Sequence, residues 1–561
     1  MVDEVQPMRR TEPTSGASPS APINTSPVPD WVRDLLVVTA YALVAIWWIW
    51  PAPRLWSDHL VFESQGELAH FGRADAYLIV WALSWVTHAI TSNPTKLFDG
   101  NTFVPAPLSL AFSEHIIGYF PLFAPVYSIS GNPILAVNVM AFLRYPLGAF
   151  FMYLCARRHL GRPAAFVTGV AFAFYAGRYF APPHYHMLGT QYFPLVIFAL
   201  EEWLDSGKPS AAFVLALGVA LQCLSSVYLM YAMVLMLVLV TPLATWQYRE
   251  RLDRRRVLGL LLAGATVVSV IGLVMWPYLV LRHRGLVPSY DGSRTSIGLV
   301  PWFAHIHVRR YLLHQGIGIF GYLLAAFGVI LGGRIARGWP WRLGLCLTIY
   351  GIIMSLGPRI WTSYGEIWSP YSLLLGAIPG FSTVRMPARF TVIAHLGLSL
   401  LVGVAIAVAV RRLSTARAWL VAGLCALVIL LPARSVPELV AHRELVGDSV
   451  RDVDRWLARN GDGRAALELP QAIGAEENSR RGYLSTFHWH PIVDGYAANA
   501  PQHGRRIHWI ARQLPAEVAL QELVDLIDVG WLIVHRGALP PLARSVWNGP
   551  LPDLMTSHRF G

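Results

Sequence analysis

Residues 257–280 read VLGLLLAGATVVSVIGLVMWPYLV, twenty-four positions without a charged side chain, and the six before them read RLDRRR. At about 1.5 Å per residue such a helix is roughly 36 Å long, enough to cross the ~30 Å hydrocarbon layer of a bilayer. Ten further apolar stretches surround it, at 35–50, 132–155, 163–179, 190–204, 209–225, 227–246, 316–333, 342–356, 390–410 and 418–432. The fold class expected is therefore an all-α polytopic membrane protein of about eleven transmembrane helices. Composition agrees: of 561 residues 55% are hydrophobic and only 14% charged, with a mean hydropathy of +0.45. Soluble domains carry about 25% charged residues, so a small soluble binding module is excluded.

Basic residues outnumber acidic ones by 45 to 33, a net charge of +12. The excess is almost all arginine, Lys96 and Lys208 being the two lysines, and it sits in short connectors between apolar runs. Placing the N-terminus in the cytoplasm puts Arg157, Arg158 and Arg162, Lys208, Arg249 to Arg256, Arg334 to Arg342 and Arg411 to Arg417 on the inner side, as the positive-inside rule requires. No nucleic-acid motif accompanies the charge, so no nucleic-acid partner is expected. Residues 1–32, rich in Pro, Ser and Thr, read as a disordered cytoplasmic tail and 33–433 as the membrane domain. Residues 434–561 mix polar and apolar positions and read as a small extracytoplasmic α/β domain, with strands at 465–469 and 531–535 and helices at 446–459 and 516–528. The weakest boundary is the polar break at Ser225 and Ser226, on which the orientation of everything downstream depends. Cys155, Cys223, Cys346 and Cys425 lie in apolar runs without metal or disulfide spacing.

Chemistry is expected on the outer face, where the connectors are long and polar. The first outer loop, 51–131, carries Asp58, Glu63, Glu67, Asp75, Asp99 and Glu114 with His59, His70, His88 and His115. Within it, 77–90 (YLIVWALSWVTHAI) is too short to span comfortably and places Trp81 and Trp85 on one face, so an interfacial helix is expected, with Asp75 near its N-cap. Arg144, in the middle of a span, should face the protein interior with a carboxylate or carbonyl partner. Glu201 and Glu202 mark the inner end of their span. His184 and His186 offer an H-x-H pair, a weak metal signal without a third ligand. Adjacent Glu114 and His115 would diverge by about 100° on a helix. His488 and His490 read as exposed decoration or an acceptor surface.

The stretches RADAYLIVWALSW (73–85), LFDGNTFVPAPLSLAFSEHIIG (97–118) and GNPILAVNVM (131–140) resemble the bacterial multi-spanning glycosyltransferases of the GT-C superfamily. That family's pattern here is an Asp, an aromatic-rich helix, Phe-Asp-x-Asn, Tyr-Pro-x-Pro and Ser-Glu-His. HMLGTQYFPLVIFALE (186–201), PGFSTVRMPARF (379–390) and STFHWHPIVDGYAANAP (485–501) are similar to later parts of the family. The chain departs from it in Val104, where tyrosine is usual, in Arg144, and in a short 281–315 loop.

The resemblance implies transfer of a sugar, with inversion, from a polyprenyl-phosphate donor to a glycan, lipid or protein acceptor at the outer face of a bacterial plasma membrane. It points to Asp75 as the catalytic base and to substrate contacts at Asp58, Asp99, Asn101, Glu114, His115, His186, Gln191, Arg385 and Arg389. The two arginines suit the phosphate, since guanidinium forks bind its oxygens bidentately. Asp99 and Glu114 are the candidate ligands for a divalent cation, Mg²⁺ or Mn²⁺. A lipid-linked sugar transporter or flippase, and a non-catalytic envelope assembly protein, are the alternative readings.

Overall fold

The computed structural model describes residues 29–63, 69–175, 184–286, 316–335, 338–362, 365–378, 380–381, 384, 387–433, 439–472, 474–499, 501, 504–552, 555–558 and 560. Helix α1 (Asp30–Trp48) is followed by β1 (His59–Glu63) and two further helices, α2 (Ala69–Ser92) and α3 (Phe120–Ser130). Then come α4 (Pro133–Leu160), α5 (Arg162–Ala173), α6 (Tyr192–Ser206), α7 (Pro209–Ser225), α8 (Val227–Gln247) and α9 (Arg254–His283). After these follow α10 (Gly318–Ile335), α11 (Trp339–Ser355), the hairpin β2 (Arg359–Thr362) and β3 (Gly365–Trp368), α12 (Tyr371–Ala377), α13 (Thr391–Val410) and α14 (Thr415–Ala433). Each of the eleven apolar stretches carries a helix. Five described helices are long and apolar enough to cross a membrane, namely α1, α4, α8, α9 and the run Pro387–Val410 that contains α13. The protein is a mostly helical membrane protein.

Local sequence explains the boundaries. Gly131, in the left-handed region, ends α3, and the Asn132 side chain accepts from the N–H groups of Ile134 and Leu135 at 3.0 Å to cap α4, with Pro133 at its first position. Asp253 caps α9 through Arg256 N–H at 2.7 Å. Between α7 and α8 the Ser226 backbone is extended (φ −166°, ψ 142°), so the polar break does separate two helices.

Packing between membrane helices cannot draw on expulsion of water and relies on close approach of small residues. α11 and α13 meet in this way. A Cβ added to Gly351 would fall on the Ala394 backbone, and one added to Gly344 would stand 3.1 Å from the Gly397 carbonyl oxygen. Arg144, buried in α4 as expected, donates to Tyr145 Oη at 3.0 Å and lies over the same ring.

At the end of the bundle formed by the last turn of α4, ion pairs replace apolar contact. Arg157 meets Asp34 at 2.5 Å, Arg162 meets Asp30 and Asp34 at 2.9 and 3.2 Å, and Arg158 meets Glu202 and Asp205 at 2.9 Å each. Glu201 is buried deeper than an electrostatic cap needs, 2.7 Å from His159 and accepting from the Trp339 indole at 2.6 Å. The 28 residues of α4 separate this end from the other by about 40 Å.

The first outer loop departs from expectation. α2 runs over 24 residues and is buried on nearly all sides from Ala74 to Ala89, so it is an internal strut and not an interfacial helix. Trp81 and Trp85 do not anchor it to lipid: their indole N–H groups donate to Asn101 Oδ1 and Leu97 O, both at 2.9 Å. One wall of its socket is the C-terminal region, built from β4 (Leu439–Arg443), α15 (Asp452–Asn460), β5 (Ala465–Leu469), α16 (Ala475–Ser485), α17 (Gly504–Ala511), α18 (Glu517–Ile527), β6 (Val529–Val534) and α19 (Pro541–Asn548). β5 and β6 pair in parallel, and β4 pairs antiparallel with β1, His59 opposite Arg443. Residues 101–104 add further backbone bonds, Ile492 N–H to Asn101 O at 2.7 Å and Val104 N–H to Ile492 O at 3.1 Å. Tyr77 donates to the Glu444 carboxylate at 2.8 and 2.9 Å, and burial pushes that carboxyl up to about 7. The C-terminal region and the segment 51–131 are thus knitted into one layer.

Gly351→Val should destabilise the protein by about 1–3 kcal/mol through overpacking against α13, whereas Gly272→Ala, with open space around its Cβ, should be neutral. Thermal unfolding of the two variants in detergent checks the contrast.

Candidate active site

Asp75 lies in the second turn of α2, past the N-cap position expected for it, and is partly exposed. Each of its carboxylate oxygens has one neighbour: Tyr496 Oη donates to Oδ1 at 3.1 Å and His184 Nε2 stands 3.1 Å from Oδ2. Burial, with Asp75 nearby, raises the pKa of the Tyr496 phenol, which keeps its proton.

From His184 the cluster continues. The rings of His184 and His186 lie 5.9 Å apart, and His186 Nε2 is 2.7 Å from Glu114 Oε2. The other Glu114 oxygen accepts from Ser226 Oγ and from the Val227 N–H, both at 3.1 Å, so this carboxylate occupies the N-terminus of α8, where the helix dipole favours negative charge. Burial pushes the Glu114 carboxyl up, but His186, Arg389 and Ser226 together outweigh it and hold the group below the usual range. For His186 burial wins over the attraction of Glu114, and its imidazole is held below its ordinary value. Arg389 completes the group, with Nη1 3.6 Å from Met187 Sδ and its guanidinium 4.4 Å from the centre of the Tyr228 ring.

The backbone places these groups narrowly. Tyr119 Oη donates to the His186 carbonyl at 2.7 Å, and Gly189 leaves room for that phenol, since any Cβ there would land on it. Ile116, just after Glu114 and His115, adopts the left-handed region (φ 43°). His115 is buried between Phe98 and Tyr278 rings, its Nδ1 accepting from Ile117 N–H at 3.2 Å, and burial pushes it down to about 4.

Of the residues expected at the site, Asp75, Glu114, His186 and Arg389 come together. Arg385 lies outside the described residues. Of the other five, four are occupied elsewhere. Asp58 binds His59 Nδ1 at 2.7 Å and Arg443 Nε at 3.1 Å beside the β1–β4 pair. Exposed Asp99 accepts Leu108 N–H at 3.0 Å and closes its own loop. Asn101 is a buried rivet, taking the Trp81 indole and giving to Ser485 Oγ at 3.1 Å and His490 O at 3.3 Å. His115 faces the aromatic pair, as described. Gln191 is fully buried just before α6, beside Tyr192. His488 and His490 are buried, not exposed: His490 N–H donates to His488 Nδ1 at 3.0 Å, and desolvation pushes His488 down to about 3. Asp99 and Glu114 do not share a cation site, and among the described residues no group of three or more His, Cys, Asp and Glu converges to hold a metal. As placed, Asp99 and Glu114 do not fit a divalent centre.

Tyr496, Ser226 and Tyr228 were missed from the sequence. Ser226 had left a trace, as the polar break between two apolar runs, and Tyr496 lies in the DGYAANAP stretch without a charge to mark it.

No protein-family model and no curated protein matches the chain. Among solved structures it is similar to the oligosaccharyltransferase of Archaeoglobus fulgidus, crystallised with Zn and sulfate (12% identity, TM-score 0.45, 91% of this chain and 69% of that one). It is also similar to ArnT from Cupriavidus metallidurans bound to undecaprenyl phosphate (15%, 0.40, 82% and 74%) and to the arabinofuranosyltransferase AftD from Mycobacteria (16%, 0.43, 79% and 34%). All three are GT-C glycosyltransferases. At this identity and TM-score the overlay transfers no function, and the side chains have to carry it.

Between pH 6.5 and about 4 an unfolded His115 binds a proton that the folded one refuses. Stability should therefore rise with pH across that window, by about 1.4 kcal/mol per pH unit for this one group, and be lost as pH falls through it. His115→Asn should flatten the dependence by one proton, read from unfolding in detergent at stepped pH.

Proposed function

We propose that this protein is a membrane glycosyltransferase that moves a sugar, with inversion, from a polyprenyl-phosphate donor to a cell-envelope acceptor at the outer face of a bacterial plasma membrane. The observation that carries the reading is the gathering, in one cluster, of an accessible carboxylate on a rigid helix and a guanidinium beside a buried His–Glu pair. Such a pairing of base and cation is what inverting transfer from a phosphate needs.

In the reaction Asp75 accepts the proton of the acceptor hydroxyl while its oxygen attacks the anomeric carbon from the face opposite the phosphate. The carbon–oxygen bond to the phosphate breaks, and its electron pair leaves on the polyprenyl phosphate. Arg389 offsets the charge that develops there, and Arg385, four residues earlier, is the second candidate for the same task. Glu114 and His186 hold Arg389 in an environment already balanced for charge, so an arriving phosphate meets a cation with a fixed position. The substrate set is thus a lipid-linked hexosyl or pentosyl donor and a glycan, lipid or protein acceptor. The arginine-rich end of α4 supports a cytoplasmic N-terminus, with eleven spans leading to an outer C-terminal region.

Asp75→Asn, which keeps the shape and removes the base, should lower transfer at least a hundredfold without loss of folded protein. Arg389→Ala should chiefly raise the KM for the donor. Both are measured with labelled sugar on synthetic polyprenyl phosphates and envelope membranes as acceptor. Full activity of Asp75→Asn removes it as the base, and no turnover by the wild type across hexosyl and pentosyl donors overturns the transferase reading.

A further inference from the structure

We infer that Tyr496 and His184 form a two-sided clamp that positions the Asp75 carboxylate, so that the C-terminal region is a working part of the site; this rests on Asp75 being the base. A carboxylate rotates in a broad, shallow torsional well, which spreads its lone pairs over many directions. Here one contact falls on each oxygen, Tyr496 Oη on Oδ1 and His184 Nε2 on Oδ2, both at 3.1 Å. Rotation would break both at once. The lone pairs left free then point in a fixed direction for an incoming hydroxyl.

Both neighbours are suited to giving a hydrogen. The phenol stays protonated in this setting, so it acts as a donor. His184 Nδ1 is buried without a hydrogen-bond partner. The tautomer with hydrogen on Nε2 leaves that nitrogen bare, so no donor is stranded.

The segment bearing Tyr496 is also built to stay in place. On one side Asp494 takes a 2.8 Å bond from buried Arg481, which also donates to the Glu468 and Pro470 carbonyls at 3.1 and 2.7 Å. On the other, Asn499 N–H donates to Phe112 O of the first outer loop at 3.1 Å. Gly495 between them lies against the Phe103 ring, where an added Cβ would meet carbon at 2.8 Å. Opposite, Ser479 Oγ donates to Ala74 O at 2.5 Å, fixing α2 one residue before Asp75. Base and clamp are each tied to the same layer.

The test uses the full-length protein in membranes and the transfer assay described above. Tyr496→Phe, which deletes one oxygen, and His184→Leu should each lower kcat about tenfold, the order expected for a hydrogen bond to a charged group, with the donor KM unchanged. His184→Gln, whose Nε2–H can stand where the imidazole's does, should recover most of the loss. Added to Asp75→Asn, neither change should cost anything further, because the group they position is gone. Wild-type kcat in both Tyr496→Phe and His184→Leu, or a full additional loss on the Asp75→Asn background, overturns the clamp while leaving Asp75 as the base. Full activity of Asp75→Asn alone overturns the base and the clamp with it.

Discussion

From Ala74 to Ala89 helix α2 has almost no face left for water or lipid, and the segments around it are organised around hiding it. Its apolar side chains need cover on every side, which α3, α4 and α16 supply. Its polar groups also find partners: Tyr77 takes Glu444, Trp81 takes Asn101, and the partly exposed Asp75 takes Tyr496. Each partner comes from a segment outside the helix, two of them from the far end of the chain. An unpaired buried donor costs about 1–3 kcal/mol, so these pairings decide where the loop and the C-terminal region can sit.

The membrane helices were legible because a bilayer imposes a length and a polarity that few other environments do. All eleven stretches carry helices, and the break at Ser226 is where the chain turns extended. What could not be read was which polar groups are spoken for. Asp99 and Asn101 looked like site residues because they sit in a motif beside acidic neighbours, but a loop N–H and an indole claim them. The Trp81 and Trp85 spacing suggested a lipid anchor, since one-faced aromatics look alike whether they meet lipid or protein. His488 and His490 looked exposed for a similar reason: a polar residue in a polar stretch gives no sign of being buried. Asp75, Glu114, His186 and Arg389 were legible by type and motif, and their convergence needed the tertiary fold.

Charge is handled differently at the two ends of the bundle. At the end of α4 near Arg157 the carboxylates and arginines meet directly, each arginine on one or two carboxylates. At the other end Glu114 is matched by a helix terminus, a hydroxyl, a largely neutral imidazole and a neighbouring arginine, and no single counter-ion neutralises it. Distributed stabilisation leaves Arg389 less committed to one carboxylate than the arginines near Arg157 are.

Tyr496 and Asp75 are 421 residues apart along the chain. At about 5–20 residues per second, a ribosome needs roughly 20–80 s to travel from one to the other. During that interval α2, α3 and α4 are already made while α16 is not, and the face of α2 that α16 covers waits for a partner still to be translated. The Tyr496 contact forms only once residue 496 has been made, so a chain truncated before it leaves Asp75 with the His184 contact alone.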